Sequence, residues 1–131
     1  MKRNCLAISN LATGPILAYL AACPEVGCEG VNITEPIWFK IWETGLLGGT
    51  RGSLNWLMAK VYNGSNFDIP IPAELKPGKY LLRHEMINIE NGQAQLFPMC
   101  IQLDIKGSGT RFPDPKYIVA FPAAYVKDIG K

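Results

Sequence analysis

Histidine is almost missing from this chain. Among 131 residues there is one imidazole, His84. A metal centre built on several histidines is therefore excluded within the chain, because one ligand cannot hold a metal ion. Charge is also scarce, at 18% of residues, and the formal net charge is only +2. No block of Lys and Arg is present that could track a phosphate backbone, which argues against nucleic-acid binding. Apolar runs fall short of the roughly 18–20 residues that a membrane span needs. Internal repeats, low-complexity tracts and linkers are absent, so the length predicts a single domain, residues 1–131.

What is present points to an all-β protein. Hydrophobic residues make up 48% of the chain, divided into short runs by 10 prolines and 13 glycines. That punctuation predicts strands rather than long helices. Residues 16–22 and 37–43 ("IWFKIWE") read as strands, and 54–62 as one or two helical turns. The segment "SNFDIPIP" reads as a short edge strand, because Pro70 and Pro72 cannot donate to a sheet ladder. "AELKPGKY" is a turn entering the strongest strand pair. "GSGTRFPDPKY" begins a loop-like tail.

The strong pair is a hairpin. Asn91-Gly92 suits a two-residue type I′ turn, joining strands at 80–90 and 93–106. In that register Met86 faces Phe97, His84 faces Met99 and Leu82 faces Ile101, all on one side of the sheet. His84 thus reads as a core residue on an apolar face. Arg83 and Cys100 fall on the other face. Trp38 and Trp42 read as packing residues of a half-buried strand, and Trp56 as the more exposed tryptophan.

Four cysteines stand at 5, 23, 28 and 100 and allow three pairings. Their even number predicts disulfides and an oxidising compartment. Two glycosylation sequons, at Asn32 and Asn63, agree with secretion. A minority reading makes "MKR…ILAYLAAC" a lipoprotein signal with lipid on Cys23, but Ser9, Asn10, Thr13, Gly14 and Pro15 interrupt its apolar core. Otherwise no signal peptide is evident. Carboxylates available for hydrolytic chemistry are Glu43, Glu85, Glu90 and Asp104. Nothing in the sequence places two of them at a working separation.

Several segments occur in one recognisable order: "GPILAYLAAC", "WFKIWETG", "IPAELKPGKYLLRHE", "QAQLFPMCIQLDIKGSG" and "FPAAY". Together they resemble the fungal lytic polysaccharide monooxygenases of auxiliary activity family 9. The resemblance runs from about Gly14 to Tyr125 and covers the C-terminal part of that domain. Residues 1–13 form a divergent N-terminal segment, and 126–131 a tail. The resemblance implies a secreted immunoglobulin-like β-sandwich, truncated relative to the family. It also implies one copper ion and oxidative cleavage of cellulose or another β-glucan bound on a flat face. A truncated gene model is the alternative account of the missing part.

The site transfers poorly. Copper in the family is held by a histidine brace. The N-terminal histidine has no counterpart, since the chain opens on Met1. The second brace histidine falls on Ala12, and the axial tyrosine on Phe97. The outer histidine falls on Glu90. Only Gln95 matches, while His84 corresponds to the structural histidine of Arg-His-Glu. Tight copper binding and oxygen activation are therefore not expected. The alternative is a non-catalytic relative that binds polysaccharide or cell-wall surfaces. The resemblance further implies a Cys23–Cys28 disulfide. It gives Cys100 a partner upstream, a role open to Cys5, with a free Cys100 thiol as the other outcome.

Overall fold

The computed structural model describes residues 13–50, 55–90 and 92–126. It is mostly β, as the punctuation predicts. The strands are β1 (Ile16–Ala22), β2 (Trp38–Thr44), β3 (Gly78–Asn88), β4 (Gln95–Ile105) and β5 (Ile118–Val119). Two short helices, α1 (Leu57–Tyr62) and α2 (Ala123–Val126), and a 3-10 turn at Pro115–Tyr117 complete the described elements. The strands form one sheet in the order β4-β3-β1-β2-β5.

Backbone hydrogen bonds show how β1 meets β3. Ile89 donates to Thr13, Ile87 to Pro15, and Cys23 to Lys79. As one strand advances the partner number falls, so the pair is antiparallel. At the other side, Trp38 faces Val119 and Phe39 faces Ile118 in an antiparallel β2–β5 pair. β5 and its flanking turns lie where the sequence predicts only a loop-like tail. The strand is two residues long, too short to show a periodicity of its own.

The chain divides into two compact units. One takes the chain up to Leu17, Glu43–Asp68 and Glu85–Pro98. The other takes Ala18–Trp42, Ile69–His84 and the chain from Met99 onward. The second unit holds the main core. Ala18, Leu20, Phe39, Leu75, Tyr80 and Leu82 are all buried and touch one another. Ile69, Ile71, Leu103 and Ile105 pack against this cluster. Tyr80 completes it with a polar tip, its hydroxyl donating to the Lys76 carbonyl at 2.6 Å. Burial raises the Tyr80 pKa above the usual phenol value.

An aromatic group closes the same unit. Phe121 meets the Tyr19 ring edge-on at 4.8 Å and the Tyr125 ring at 5.1 Å. The buried Arg83 guanidinium stacks on Phe121 at 3.9 Å and donates to the Tyr125 hydroxyl at 3.1 Å. This stacking explains how a cation is tolerated in a face the sequence marks only as opposite His84.

In the first unit Ile16, Trp56, Met58 and Ala59 are buried. Trp56 is therefore not the exposed tryptophan. It stands at the N-cap of α1 and forms a backbone β-bridge to Leu46. Gly14 is required here by close approach. Its φ is +146°, and a Cβ would run into the Ile87 carbonyl oxygen. The same logic applies to Gly109 in the second unit, whose Cβ would meet Leu75 and Glu74 backbone.

Two expectations are corrected. The segment "SNFDIPIP" has no regular secondary structure and joins no strand. Pro70 and Pro72 remove the donors a ladder needs, while Ile69 and Ile71 still bury against the core. The hairpin strands also stop earlier than expected, at Asn88 and Gln95 rather than at a two-residue turn. The Ile89 N–H goes to Thr13 and the Glu90 N–H to Asn88 Oδ1, so neither is left for the hairpin ladder. Asn91 lies outside the described residues. Asn88, at the end of β3, and Gln95, at the start of β4, bond side chain to side chain across the open end of the pair.

Candidate functional site

The positions that the resemblance assigns to copper chemistry fall in the first unit, around the end of the hairpin. Asn88 closes β3 and is fully buried. Its amide nitrogen donates to Gln95 Oε1 at 3.0 Å, and its oxygen accepts from the Glu90 backbone N–H at 3.2 Å. Glu90 is exposed, and its Oε1 accepts from the Thr13 hydroxyl at 2.8 Å. The Thr13 backbone carbonyl in turn accepts from Ile89. Thr13, Asn88, Glu90 and Gln95 thus form one hydrogen-bonded chain of short polar groups. Phe97 lies two residues along β4, half-buried and without a hydroxyl. Ala12 lies outside the described residues.

Gln95 and Glu90 are positions that the resemblance assigns to the site, and Asn88 links them here. Asn88 and Thr13 were not singled out for this role. The signal for Asn88 is a lone amide in "EMINIE", where a strand otherwise presents apolar residues; a buried amide of that kind needs partners. The arrangement can accept and donate hydrogen bonds. It offers no imidazole or amine donor among the described residues. Among those residues no three of His, Cys, Asp and Glu gather as a metal cage would require.

His84 is half-buried, and desolvation lowers its pKa below the usual 6.5. The face assigned to it is apolar but wetter than expected: Met99 is 58% exposed and Ile101 47% exposed. β4 ends the sheet, so its side chains have a strand on one flank only. Cys100 is exposed and carries a free thiol. Partial desolvation raises its pKa, and the Arg83 guanidinium opposes that rise. Cys5, its candidate partner, lies outside the described residues.

Cys23 and Cys28 are disulfide-bonded, with Cα atoms 5.0 Å apart. The Cys23 sulfur is therefore not available for lipid, and the lipoprotein reading falls. Among the hydrolytic carboxylates, Glu85 is fully buried and Asp104 is paired with Lys106 at 2.7 Å. Glu90 belongs to the polar chain above, and Glu43 is exposed. Among the described residues no helix is long and apolar enough to cross a membrane.

The described strands, one five-stranded sheet with few helical turns, define the chain as a mostly β protein. Comparison with known proteins makes this specific. Residues 5–129 match the model of Auxiliary Activity family 9 (formerly GH61), and the chain belongs to that family. The AA9 family lytic polysaccharide monooxygenase-like protein CEL1 of Agaricus bisporus is 41% identical over 113 residues, covering 86% of this chain and 35% of that protein. AA9 family lytic polysaccharide monooxygenase B of Gloeophyllum trabeum is 36% identical over 119 residues, covering 86% and 46% respectively. Solved structures agree. HiLPMO9B superposes with a TM-score of 0.74 at 34% identity, over 85% of this chain and 50% of that one. A cellulose-active polysaccharide monooxygenase from M. thermophila gives 0.73 at 35% identity, over 84% and 52%. The chain spans about a third to a half of the length of these relatives.

Proposed function

We propose that this chain is a non-oxidising member of the family, secreted, which binds cellulose or a related β-glucan surface without a copper brace. One observation carries the reading. Each described position equivalent to a copper-site residue holds a group that is either chemically unsuited or already engaged. Phe97 has no oxygen. Gln95 Oε1 accepts from Asn88, and Glu90 Oε1 accepts from Thr13. Copper in a nitrogen site needs imidazole or amine donors in fixed geometry. The residues present do not fit the ion, and no oxidative step is derived through it. The one imidazole of the chain, His84, stands on β3 and is turned toward its neutral form by burial.

Glucan binding rests on flat aromatic surfaces that stack on sugar rings. The tryptophans do not supply a free face, since Trp38 and Trp56 are buried and Trp42 packs half-buried against the core. Exposed rings are Tyr62 in the first unit and Phe112 and Tyr117 in the second. The Cys23–Cys28 disulfide supports an oxidising, extracellular setting.

Copper titration by calorimetry tests the first half of the reading. The expected result is no binding in the submicromolar range; submicromolar binding overturns it. Retention on insoluble cellulose tests the second half. Retention above a control protein, reduced by Tyr117→Ala or Phe112→Ala, is expected. Retention no higher than the control leaves glucan binding without support.

A further inference from the structure

We infer that Asn32 is a site of N-linked glycosylation, and that the turn carrying it is built as a fixed, outward-facing platform for the sugar. The sequon Asn32-Ile33-Thr34 lies between Cys28 and β2. Residues 32–36 are exposed without interruption. The turn is nevertheless held firmly. Val31 N–H donates to the Cys28 carbonyl, Glu35 N–H to Asn32, and Ile37 N–H to Glu35. The buried Trp38 indole pins it from below, donating to the Ile33 carbonyl at 2.9 Å.

Within this turn the three sequon groups meet. The Thr34 hydroxyl donates to Asn32 Oδ1 at 2.6 Å, and the Thr34 N–H donates to the same oxygen at 3.1 Å. The amide nitrogen that would carry sugar reaches only the exposed Glu35 carboxylate, at 3.3 Å. A bulky polar substituent on that nitrogen meets solvent and displaces one weak surface contact. The neighbouring Ile33 is 52% exposed, and a glycan would shield it from water. The Cys23–Cys28 bridge, five residues apart and just upstream, agrees with passage through an oxidising lumen where such transfer occurs.

The step is a group transfer. Asn32 Nδ2 attacks the anomeric carbon of an oligosaccharide linked to a lipid pyrophosphate. The N–C bond forms, and the bond from that carbon to the pyrophosphate oxygen breaks. The lipid pyrophosphate leaves with the electron pair, and the amide gives up one proton. No oxidation or reduction is involved.

The test expresses the full chain behind a heterologous secretion signal in a eukaryotic host. Both cell-retained and secreted chains are collected, since transfer precedes folding. Peptide mapping before and after enzymatic glycan release reads occupancy at Asn32, and the same map reads the Cys23–Cys28 bridge. Glycan on the Asn32 peptide is expected, lost in Asn32→Gln and Thr34→Ala and kept in Thr34→Ser. An unmodified Asn32 peptide in chains whose Cys23–Cys28 bridge is oxidised overturns the proposal, as does glycan confined to Asn63.

Discussion

The two units are held by different chemistry. In the second, aliphatic and aromatic side chains converge: Leu20 and Ala18 are fully buried, and Phe121 gathers Tyr19, Tyr125 and the Arg83 guanidinium. In the first, around the end of the hairpin, short polar side chains from Thr13, Asn88, Glu90 and Gln95 bond to one another. Burial of apolar area is tolerant of small adjustments, whereas a buried amide such as Asn88 demands that its partners be kept. The polar chain falls at positions that the resemblance assigns to copper chemistry.

The largest effect expected is at the backbone approach that supports the polar unit. Gly14→Ala places a methyl group against the Ile87 carbonyl in a conformation that disfavours any side chain. A loss of roughly 3 kcal/mol or more is expected from the clash and the strain together. Gly27 has a comparable φ of +132° but open space around it, so Gly27→Ala carries strain alone, about 1 kcal/mol. Urea unfolding of the two variants side by side separates contact from conformation. Equal losses would mean that the close approach to Ile87 is relieved at little cost.

Next come the two modes of cohesion themselves. Leu20→Ala opens a cavity in the aliphatic core and is expected to cost about 2–5 kcal/mol. Asn88→Ala strips partners from Gln95 and from the Glu90 N–H and is expected to cost about 1–3 kcal/mol. Thr13→Val removes one exposed hydrogen bond to Glu90 and should cost no more than about 1 kcal/mol. Denaturant midpoints give the order. If Thr13→Val matches Asn88→Ala, the burial of Asn88 is not what makes the polar chain matter.

The contrast also explains what could be read ahead of the structure. β1 was legible because "ILAYLAA" is a continuous apolar run, and the β3–β4 strand pair because Asn-Gly separates two long strand-like segments. The disulfide was legible through the family resemblance. β5 was not legible, since two residues carry no period and its place depends on Trp38 and Phe39 across the sheet. The early end of the hairpin was hidden because Ile89 bonds to Thr13, far upstream in sequence. Trp56 was misread for the same reason: it is bridged to Leu46 and stands at the N-cap of α1. Tertiary partners decided each of these, and local pattern does not name them.

The smallest effect belongs to the histidine, and it is the cleanest to assign. His84 is the chain's one imidazole, so no other histidine contributes to a titration in its range. Burial lowers its pKa from the usual 6.5, meaning that the folded state disfavours the charged ring. Between the two values the unfolded chain binds more protons than the folded one. The stability tied to neutral His84 is therefore fully present above pH 6.5 and is lost progressively as pH falls through that value toward the lowered folded pKa. Carboxylates add their own acid dependence at lower pH, so the informative quantity is the difference between the native chain and His84→Gln. The native chain should lose more stability than the variant as pH drops below 6.5, while above it their difference stays constant. Parallel curves across the range would mean that the ring charges in place, through the wet side of the sheet where Met99 and Ile101 are exposed.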